Sequence, residues 1–207
     1  MLSLFLKSLV IGLAVAMPMG PIGILIVRRT LVLGFRRGME GGLGVAAADG
    51  LYAVMAVFGV TAVTALLVEQ QAWFQGVGGL ALLWIGASIM RRPAPALGYA
   101  SDQTGARDVG GGFPVMVGLT LANPATILSF AAIFASLGPL TDGGDVLTAS
   151  VMTAAVFIGS LVWWIALTAV VSAVRQRISS KVMLWLSRGA GGLIVVFGVV
   201  ALVLALA

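Results

Sequence analysis

The sequence predicts an all-α polytopic membrane protein with six transmembrane helices, arranged as a 3+3 inverted repeat with broken helices 1 and 4. Three observations lead to this fold class. Of the 207 residues, 60% are hydrophobic and 9% are charged, and the mean hydropathy of +1.14 lies outside the range of soluble globular domains. Basic residues follow every second apolar stretch, and two helix-breaking motifs occupy matching places in the two halves.

Six apolar runs are long enough to cross a bilayer, which takes about 20 residues of helix. They cover residues 2–27, 39–64, 72–90, 113–138, 147–174 and 183–206. We expect one transmembrane domain over residues 1–207, with a first repeat at about 1–90 and a second at about 113–207. Residues 91–112 are rich in Gly, Pro, Asp and Ala and predict a flexible linker between the repeats.

The charges of the connections predict the orientation of the chain. Every Lys and Arg except Lys7 follows span one, three or five. The two intervening connections carry only acidic charges, from Glu69, Asp142 and Asp145. By the positive-inside rule, the basic connections are cytoplasmic and both termini face outward. Because each half holds three spans, an odd number, the halves insert in opposite orientations and form an inverted repeat.

The N-terminus has an alternative interpretation as a cleaved secretory signal. Lys7 precedes an apolar stretch, and Ala14 and Ala16 have the spacing of small residues at a cleavage site. However, the apolar run continues to Val27 and ends at a pair of Arg residues, and cleavage would leave five spans. We therefore favour an intact first span.

The composition excludes several classes of function. The chain has no Cys, no His and only 7 Asp and Glu residues, so disulfides, thiol chemistry and transition-metal sites lack their ligands. The apolar spans offer no pair of nucleophile and base for an enzyme. The net charge of +5 arises beside apolar spans rather than on a soluble face, so we expect no nucleic-acid partner. We also expect no cofactor and no enzymatic activity.

Two motifs break the first and fourth spans at corresponding positions. Span one contains Pro18 and Pro21 around Gly20, and span four contains Asn123 followed by Pro124. Proline removes a helical hydrogen bond and suits the first position of a new helix, and Asn is a favourable N-cap. Half-helix N-termini inside a membrane present free N–H groups to an anionic group. The alternative is two ordinary proline kinks, but the matching positions favour a binding site.

Asp49 is the only carboxylate deep in an apolar span. It lies about ten residues into span two, or roughly 15 Å at 1.5 Å per residue, near the bilayer centre. A charged Asp there costs on the order of 3 kcal/mol, which indicates a purpose. We interpret Asp49 as the site of a substrate ammonium or a coupling proton; the alternative is a protonated Asp that bonds a neighbouring helix. Tyr52 lies on the same helical face as Asp49. It either has a functional role, in which it orients Asp49 or the substrate, or is an aromatic residue of the core.

Other polar and small residues lie near these motifs. Thr126 and Ser129 either line a cavity or bond their own helix. Glu40 is expected to favour the start of span two or to pair with one of the two preceding Arg residues. Small residues four apart in span two permit close helix packing within the chain or between copies, which leaves a homo-oligomer open. Trp163 and Trp164 lie too deep for an interfacial belt; they are either core or cavity-lining residues, and we favour the core.

Three motifs in spans one, two and four carry a family resemblance. They are Met17-Pro18-Met19-Gly20-Pro21, Gly44-Val45-Ala46-Ala47-Ala48-Asp49-Gly50-Leu51-Tyr52 and Leu121-Ala122-Asn123-Pro124-Ala125-Thr126-Ile127-Leu128-Ser129-Phe130. With these motifs the chain resembles the lysine exporter (LysE) type translocators, which include the homoserine and threonine exporters, over almost its whole length. It departs from the family pattern at Met19, where Pro-Gly-Pro is common, and at Ala125, where a Lys often follows Asn-Pro.

The resemblance implies a secondary active exporter of amino acids or related small metabolites in the bacterial cytoplasmic (inner) membrane, coupled to protons and working by alternating access. Its partners would be a small amino-acid-like solute and the lipid bilayer. The predicted substrate or proton site comprises Asp49, Tyr52, Pro18, Gly20, Pro21, Asn123, Pro124, Thr126 and Ser129. Two alternatives are a non-transporting membrane scaffold or accessory protein, and an ion exporter of the wider superfamily, for which one buried carboxylate is a poor cation cage.

Overall fold

The computed structural model describes residues 1–17, 20–57, 69–91, 112–123, 126–127, 129–130, 146–175 and 177–206. Within these ranges the chain is helical and contains no strand. The helices are α1 (Leu2–Ala16), α2 (Pro21–Leu33), α3 (Phe35–Val57), α4 (Gln71–Arg91), α5 (Phe113–Leu121), α6 (Val146–Arg175) and α7 (Ser180–Leu206). The predicted linker lies almost entirely outside the described residues, as do parts of predicted spans two and four.

Several of these helices are long and apolar enough to cross a membrane. Three qualify alone, at Ala72–Arg91, Val146–Arg175 and Lys181–Leu206. The pair α1 and α2 qualifies together as one span that is bent by 81°. Large apolar side chains on α4 and α7, such as Trp84 and Trp185, stay exposed, as expected for helices whose outer surfaces contact lipid. The chain is therefore a polytopic helical membrane protein, which confirms that part of the predicted fold class.

The first predicted span breaks between α1 and α2. α1 ends at Ala16, and Gly20 has an extended backbone with φ −78° and ψ −166°. Pro21 then opens α2, and the carbonyl of Gly20 accepts the amide of Ile24 at 3.2 Å. Gly20 therefore takes the N-cap position and Pro21 the first helical position, where a missing N–H costs nothing. Pro18 and Met19 lie outside the described residues.

The end of the first predicted span is displaced from the sequence-based boundary. Helix α2 continues to Leu33 and includes Arg28 and Arg29, which we expected in a loop. A single residue, Gly34, separates α2 from α3, and its φ of +88° is a conformation that favours glycine. Arg29 is accommodated inside the helix because Glu40 and a main-chain carbonyl of α3 bond its guanidinium.

Close contacts at glycines set two antiparallel helix pairs. In the pair α1 and α6, a Cβ on Gly12 would meet the carbonyl oxygen of Val156, and one on Gly159 would meet that of Leu9. In the pair α4 and α7, a Cβ on Gly79 would lie 3.0 Å from the carbonyl oxygen of Gly198. These helices approach closely because the contacting positions carry no side chain.

The small residues of α3 make contacts within the chain. A Cβ on Gly42 would lie 2.7 Å from Cβ of Trp164, and one on Gly44 would lie 2.5 Å from the carbonyl oxygen of Phe113. Gly38 faces the side chain of Thr30 in the same way. The small-residue spacing noted in span two therefore brings α3 against α2, α5 and α6 of its own chain.

Candidate functional site

A cavity of about 260 Å³ lies among the helices α1 to α7. This is somewhat smaller than the roughly 300–1,000 Å³ of pockets for drug-sized ligands, so it suits a small solute. α4 and α7 each contribute residues at helical spacing, so that one face of each helix forms a wall. These residues are Gln75, Gly78, Gly79 and Leu82 on α4, and Phe197, Val200, Ala201 and Leu204 on α7.

Asp49 projects from the middle of α3 into this cavity wall. Its side chain is 2% exposed, and the hydroxyl of Ser160 on α6 donates a hydrogen bond of 2.6 Å to its Oδ2. The described residues provide no Lys or Arg partner for this carboxylate. Asp49 therefore bonds a neighbouring helix and also borders a cavity.

Both helix breaks contribute to the same cavity. Gly20 and Pro21 line it, followed by Ile22 and Gly23 in the first turn of α2, where main-chain N–H groups have no partner inside the helix. Asn123, at the second break, also lines the cavity. The main-chain carbonyl of Asn123 accepts the amides of Thr126 and Ile127, both at 3.1 Å, which is the backbone pattern of a helix N-cap. Pro124 lies outside the described residues.

The remaining predicted site residues divide between the cavity and the core. Thr126 and Ser129 line the cavity with Asp49. Tyr52 is 3% exposed, and its hydroxyl donates a hydrogen bond of 2.7 Å to the carbonyl of Leu121. Its ring also stacks on Phe130, with centroids 5.2 Å apart. Tyr52 therefore ties α3 to the second helix break and is not among the described residues that line the cavity.

Three further side chains contribute to this site, and two of them, Ser160 and Gln75, were missed in the sequence. Ser160 bonds Asp49, while Gln75 and Trp164 line the cavity and are 5% and 3% exposed. Trp164 also belongs to the hydrophobic core, so both readings offered for it from the sequence apply. A polar residue such as Gln75 inside an apolar helix is a signal that could have identified it, because such residues in membrane spans generally face the protein interior.

Comparison with known proteins places this site in a family context. Residues 13–205 match the family model for the LysE type translocator. The chain belongs to the LysE family. Over 202 residues the chain is also 26% identical to "Putative amino acid efflux protein YcgF" of Bacillus subtilis (strain 168), a match that covers 95% of this chain and 94% of that protein. No solved structure matches the chain. Family membership identifies the protein as a translocator and not an enzyme.

A second buried charge in this LysE family member lies on α2, beside the first turns of α3. Arg29 is 4% exposed, and its Nη2 lies 2.8 Å from Oε2 of Glu40. Nε of Arg29 donates to the main-chain carbonyl of Arg37, whose own side chain lies 3.0 Å from Oε1 of Glu40. The expected pairing of Glu40 with a preceding Arg is therefore present. Arg175 at the end of α6 adds a hydrogen bond of 3.0 Å to the carbonyl of Val32.

Metal binding finds little support in the part of the chain that the structure describes. No group of three or more Asp and Glu side chains is close enough there to hold a metal ion. Asp49 is the only acidic side chain among the described residues of the cavity wall.

Proposed function

We propose that this translocator is a secondary active exporter of amino acids or closely related small metabolites. We place it in the bacterial cytoplasmic membrane and couple it to the proton gradient. The name of the Bacillus subtilis relative, which refers to amino acid efflux, supports the substrate class. The observation that carries the proposal is Asp49, a carboxylate with 2% exposure at the wall of a small cavity.

The chemistry of the cavity complements the two charges of an amino acid. The carboxylate of Asp49 attracts the solute's ammonium group, and no other positive partner competes for it among the described residues. The amides of Ile22 and Gly23, at the N-terminus of α2, have no acceptor among the described residues. They attract the solute's carboxylate through hydrogen bonds and the helix dipole. The break at Asn123 adds a second half-helix N-terminus to the same cavity.

Asp49 also offers a simple route to proton coupling. A carboxylate that holds either a proton or an ammonium group exchanges one for the other at a single site. When Asp49 releases an amino acid to the outside and takes up a proton there, the proton crosses inward on the return step. Ionisable side chains within membrane spans commonly carry protons in this way.

The packing of the helices supports an inverted repeat with alternating access. Span one packs on span five through α1 and α6, and span two packs on span four through α3 and α5. In a 3+3 repeat, spans one, two and three correspond to spans four, five and six. The contact of span one with span five therefore corresponds to the contact of span four with span two. The contacts of α3 with α6 and of α4 with α7 each pair a span with its own counterpart. A pseudo-two-fold axis between the halves produces this pattern.

The cavity and the basic residues lie at opposite ends of α4 and α7. The cavity wall uses residues 75–82 and 197–204, whereas Arg91, Lys181 and Arg188 lie toward the other ends of these helices. With the basic end in the cytoplasm, the cavity lies toward the outside. The contacts of Arg29 with Glu40 and of Arg175 with Val32 then hold the cytoplasmic side closed. Alternating access would require these contacts to open when a solute enters.

Reconstitution tests this function directly. Proteoliposomes that contain the purified protein are loaded with labelled amino acids, and amino-acid efflux is measured with and without a pH gradient. We expect efflux to accelerate when protons are more concentrated outside the vesicles, because they then move inward as the amino acid moves out. We expect little efflux from vesicles that contain the Asp49→Asn variant. A protein that moves no tested amino acid under any gradient would be a scaffold rather than an exporter. Flux that ignores the pH gradient would remove proton coupling but keep export.

A further inference from the structure

Four Ser and Thr side chains in the described helices use their hydroxyl groups within their own helix. Each donates a hydrogen bond of 2.6–2.8 Å to the main-chain carbonyl four residues earlier, and they are Thr30, Thr120, Ser150 and Thr168. This arrangement is common for a hydroxyl in an apolar helix, because it needs no partner from another helix. Ser160 departs from it, since its hydroxyl donates across to Oδ2 of Asp49 on α3 at 2.6 Å.

Helix packing places Ser160 within reach of α3. On one side of the hydrogen bond, a Cβ on Gly50 would lie 3.4 Å from Cδ2 of Phe157, and on the other side, one on Gly42 would lie 2.7 Å from Cβ of Trp164. These contacts hold α3 close to α6 at two points and do not involve the hydroxyl. Replacement of Ser160 by Ala therefore leaves the contact between the two helices in place.

Ser160 does not itself reach the cavity. Its side chain is 0% exposed and is not among the described residues that line the cavity, whereas Asp49 is among them. A solute in the cavity therefore does not contact the Ser160 hydroxyl. Any influence of Ser160 on such a solute acts through the carboxylate of Asp49.

The hydrogen bond gives the two oxygens of Asp49 different surroundings. Oδ2 accepts the Ser160 hydroxyl. Oδ1 accepts no bond from the described residues and, unlike Oγ1 of Thr153 or Oγ of Ser187, it is not an enclosed atom. Because Asp49 lines the cavity, Oδ1 is the oxygen that a solute there can reach.

A carboxylate in a fixed orientation binds an ammonium group better than one that turns. The last torsion of an Asp side chain has only a broad preference, so the carboxylate rotates readily when nothing holds it. A hydrogen bond from a residue behind the site removes this freedom before the solute arrives. With Oδ2 held, the ammonium group and the coupling proton compete for the same oxygen, and their binding becomes mutually exclusive.

We propose that Ser160 is a positioning residue for amino-acid export, and that it holds Oδ2 of Asp49 so that Oδ1 faces the ammonium group of the solute. The proposal rests on the exporter function above and adds a residue that makes no contact with the solute. The competing interpretation is that the hydrogen bond only fastens α3 to α6. A fastening role affects all solutes equally, whereas a positioning role affects those that carry an ammonium group.

The experiment measures how strongly the protein prefers an ammonium group. Proteoliposomes that contain the full-length protein are loaded with an isotope-labelled mixture of the standard amino acids, and the amino acid that leaves fastest becomes the probe. Counterflow of this probe is then inhibited with the unlabelled amino acid or with the 2-hydroxy acid of the same carbon skeleton. The 2-hydroxy acid has a hydroxyl group in place of the ammonium group, so the ratio of the two inhibition constants gives the preference.

The variants separate the hydroxyl of Ser160 from its packing. Ser160→Ala removes the hydroxyl, and Ser160→Cys keeps a similar shape but donates only weakly. Asp49→Asn is measured alone and together with Ser160→Ala. Thr168→Val is the control for loss of a buried hydroxyl on the same helix, because Thr168 is 0% exposed and bonds its own helix. Ser150→Ala repeats the substitution at an exposed site that also bonds its own helix.

We expect wild-type protein and both controls to prefer the amino acid over the 2-hydroxy acid by at least about tenfold. In Ser160→Ala and Ser160→Cys, KM for the amino acid rises and the preference falls by about three- to tenfold, the range of a single hydrogen bond. The double variant keeps the preference of Asp49→Asn alone, because Ser160 acts through the carboxylate. An unchanged preference in both well-inserted Ser160 variants, with only a lower thermal stability, would assign the bond to helix packing and overturn the proposal.

The other outcomes separate this inference from the exporter function. A further fall of the preference when Ser160→Ala is added to Asp49→Asn would reject the positioning role and keep the exporter. Wild-type export without any preference for the ammonium group would also keep the exporter and reject the positioning role. A wild-type protein that moves no amino acid would overturn both proposals. If Ser160→Ala fails to insert, Ser160→Cys decides the question.

Discussion

Two buried charged side chains, Arg29 and Asp49, differ in the partners that surround them. Arg29 is 4% exposed, and its guanidinium bonds both the carboxylate of Glu40 and a main-chain carbonyl. Asp49 is 2% exposed, and its one hydrogen bond from the described residues comes from the neutral hydroxyl of Ser160. The charge of Arg29 is therefore compensated by the protein itself, whereas the carboxylate of Asp49 faces a cavity and has no counter-ion among the described residues.

This difference separates structural charges from functional ones. A buried ion pair with complete hydrogen bonding contributes to the geometry of the folded protein, and removing one partner mainly costs stability. A buried carboxylate beside a cavity, without a positive partner, is complete only when a proton or a cationic group binds it. Burial of a charge in a membrane protein therefore does not indicate a binding site until its partners are known.

The largest effect is expected for Asp49→Asn. The Asn side chain has the same shape and still accepts the Ser160 hydrogen bond, but it lacks the charge that attracts an ammonium group. We expect amino-acid efflux to fall by at least about tenfold, or about 1.4 kcal/mol of interaction, with little loss of thermal stability. Proteoliposome efflux, normalised to inserted protein, measures the first quantity. Normal efflux by a well-inserted variant would contradict the role of Asp49.

Glu40→Gln should show the reverse pattern, with a clear loss of thermal stability and a smaller loss of efflux. This change leaves the Arg29 guanidinium buried without its carboxylate. Breaking a buried pair costs about 3–5 kcal/mol, and we expect about 1–3 kcal/mol here because Glu40 is 41% exposed. Thermal unfolding in detergent should therefore shift to lower temperature, while efflux per folded molecule falls less than in Asp49→Asn. Equal losses of efflux in the two variants would remove the contrast between the charges.

A third comparison changes packing without touching either charge. In Gly12→Ala, the added methyl group meets the main-chain carbonyl of Val156, which cannot rotate away. We expect α1 and α6 to separate, at a cost of about 1–3 kcal/mol. The matched control is Gly76→Ala on α4, where a Cβ has no neighbour within 4 Å and should stabilise the helix by up to about 1 kcal/mol. Thermal unfolding of both variants tests this comparison. Equal shifts of the unfolding temperature in the two variants would refute the close approach of α1 to α6.

The smallest effect is expected for Tyr52→Phe. The variant loses the hydrogen bond to the carbonyl of Leu121 but keeps the ring that stacks on Phe130. A single hydrogen bond of this kind contributes about 0.5–1.5 kcal/mol, so stability should fall slightly. Substrate affinity should change little, because Tyr52 is not among the described cavity-lining residues. A large rise in KM for the solute would assign Tyr52 a direct contact instead.

Sequence patterns predicted the most conspicuous parts of the site. Asp49 was identifiable because a carboxylate in an apolar span costs free energy and therefore indicates a partner or a function. Gly20, Pro21 and Asn123 were identifiable because proline, glycine and Asn interrupt helices in known ways. By contrast, Gln75 and Ser160 were not assigned to the site. The apolar spans that carry them are hydrophobic on all sides, so periodicity does not show which face is turned inward.

The end of the first span shows the same limit. The Arg pair at 28 and 29 predicted a loop, since charged residues usually end a span. Helix α2 continues through both residues because Glu40, eleven positions later than Arg29, bonds the Arg29 guanidinium. That contact depends on the turn at Gly34, which folds α3 back against α2. No local pattern of residues reports such a partner.

Composition, charge distribution and helix-breaking residues were sufficient to establish a helical membrane protein with one unusual buried acid, because lipid tolerates few polar groups and so makes each exception visible. The convergence of both helix breaks, Asp49, Gln75 and Trp164 on one cavity followed only from how the helices pack. Close contacts at Gly12, Gly42 and Gly79 set that packing. Such contacts depend on the partner helix as much as on the glycine, so a linear sequence does not contain them explicitly.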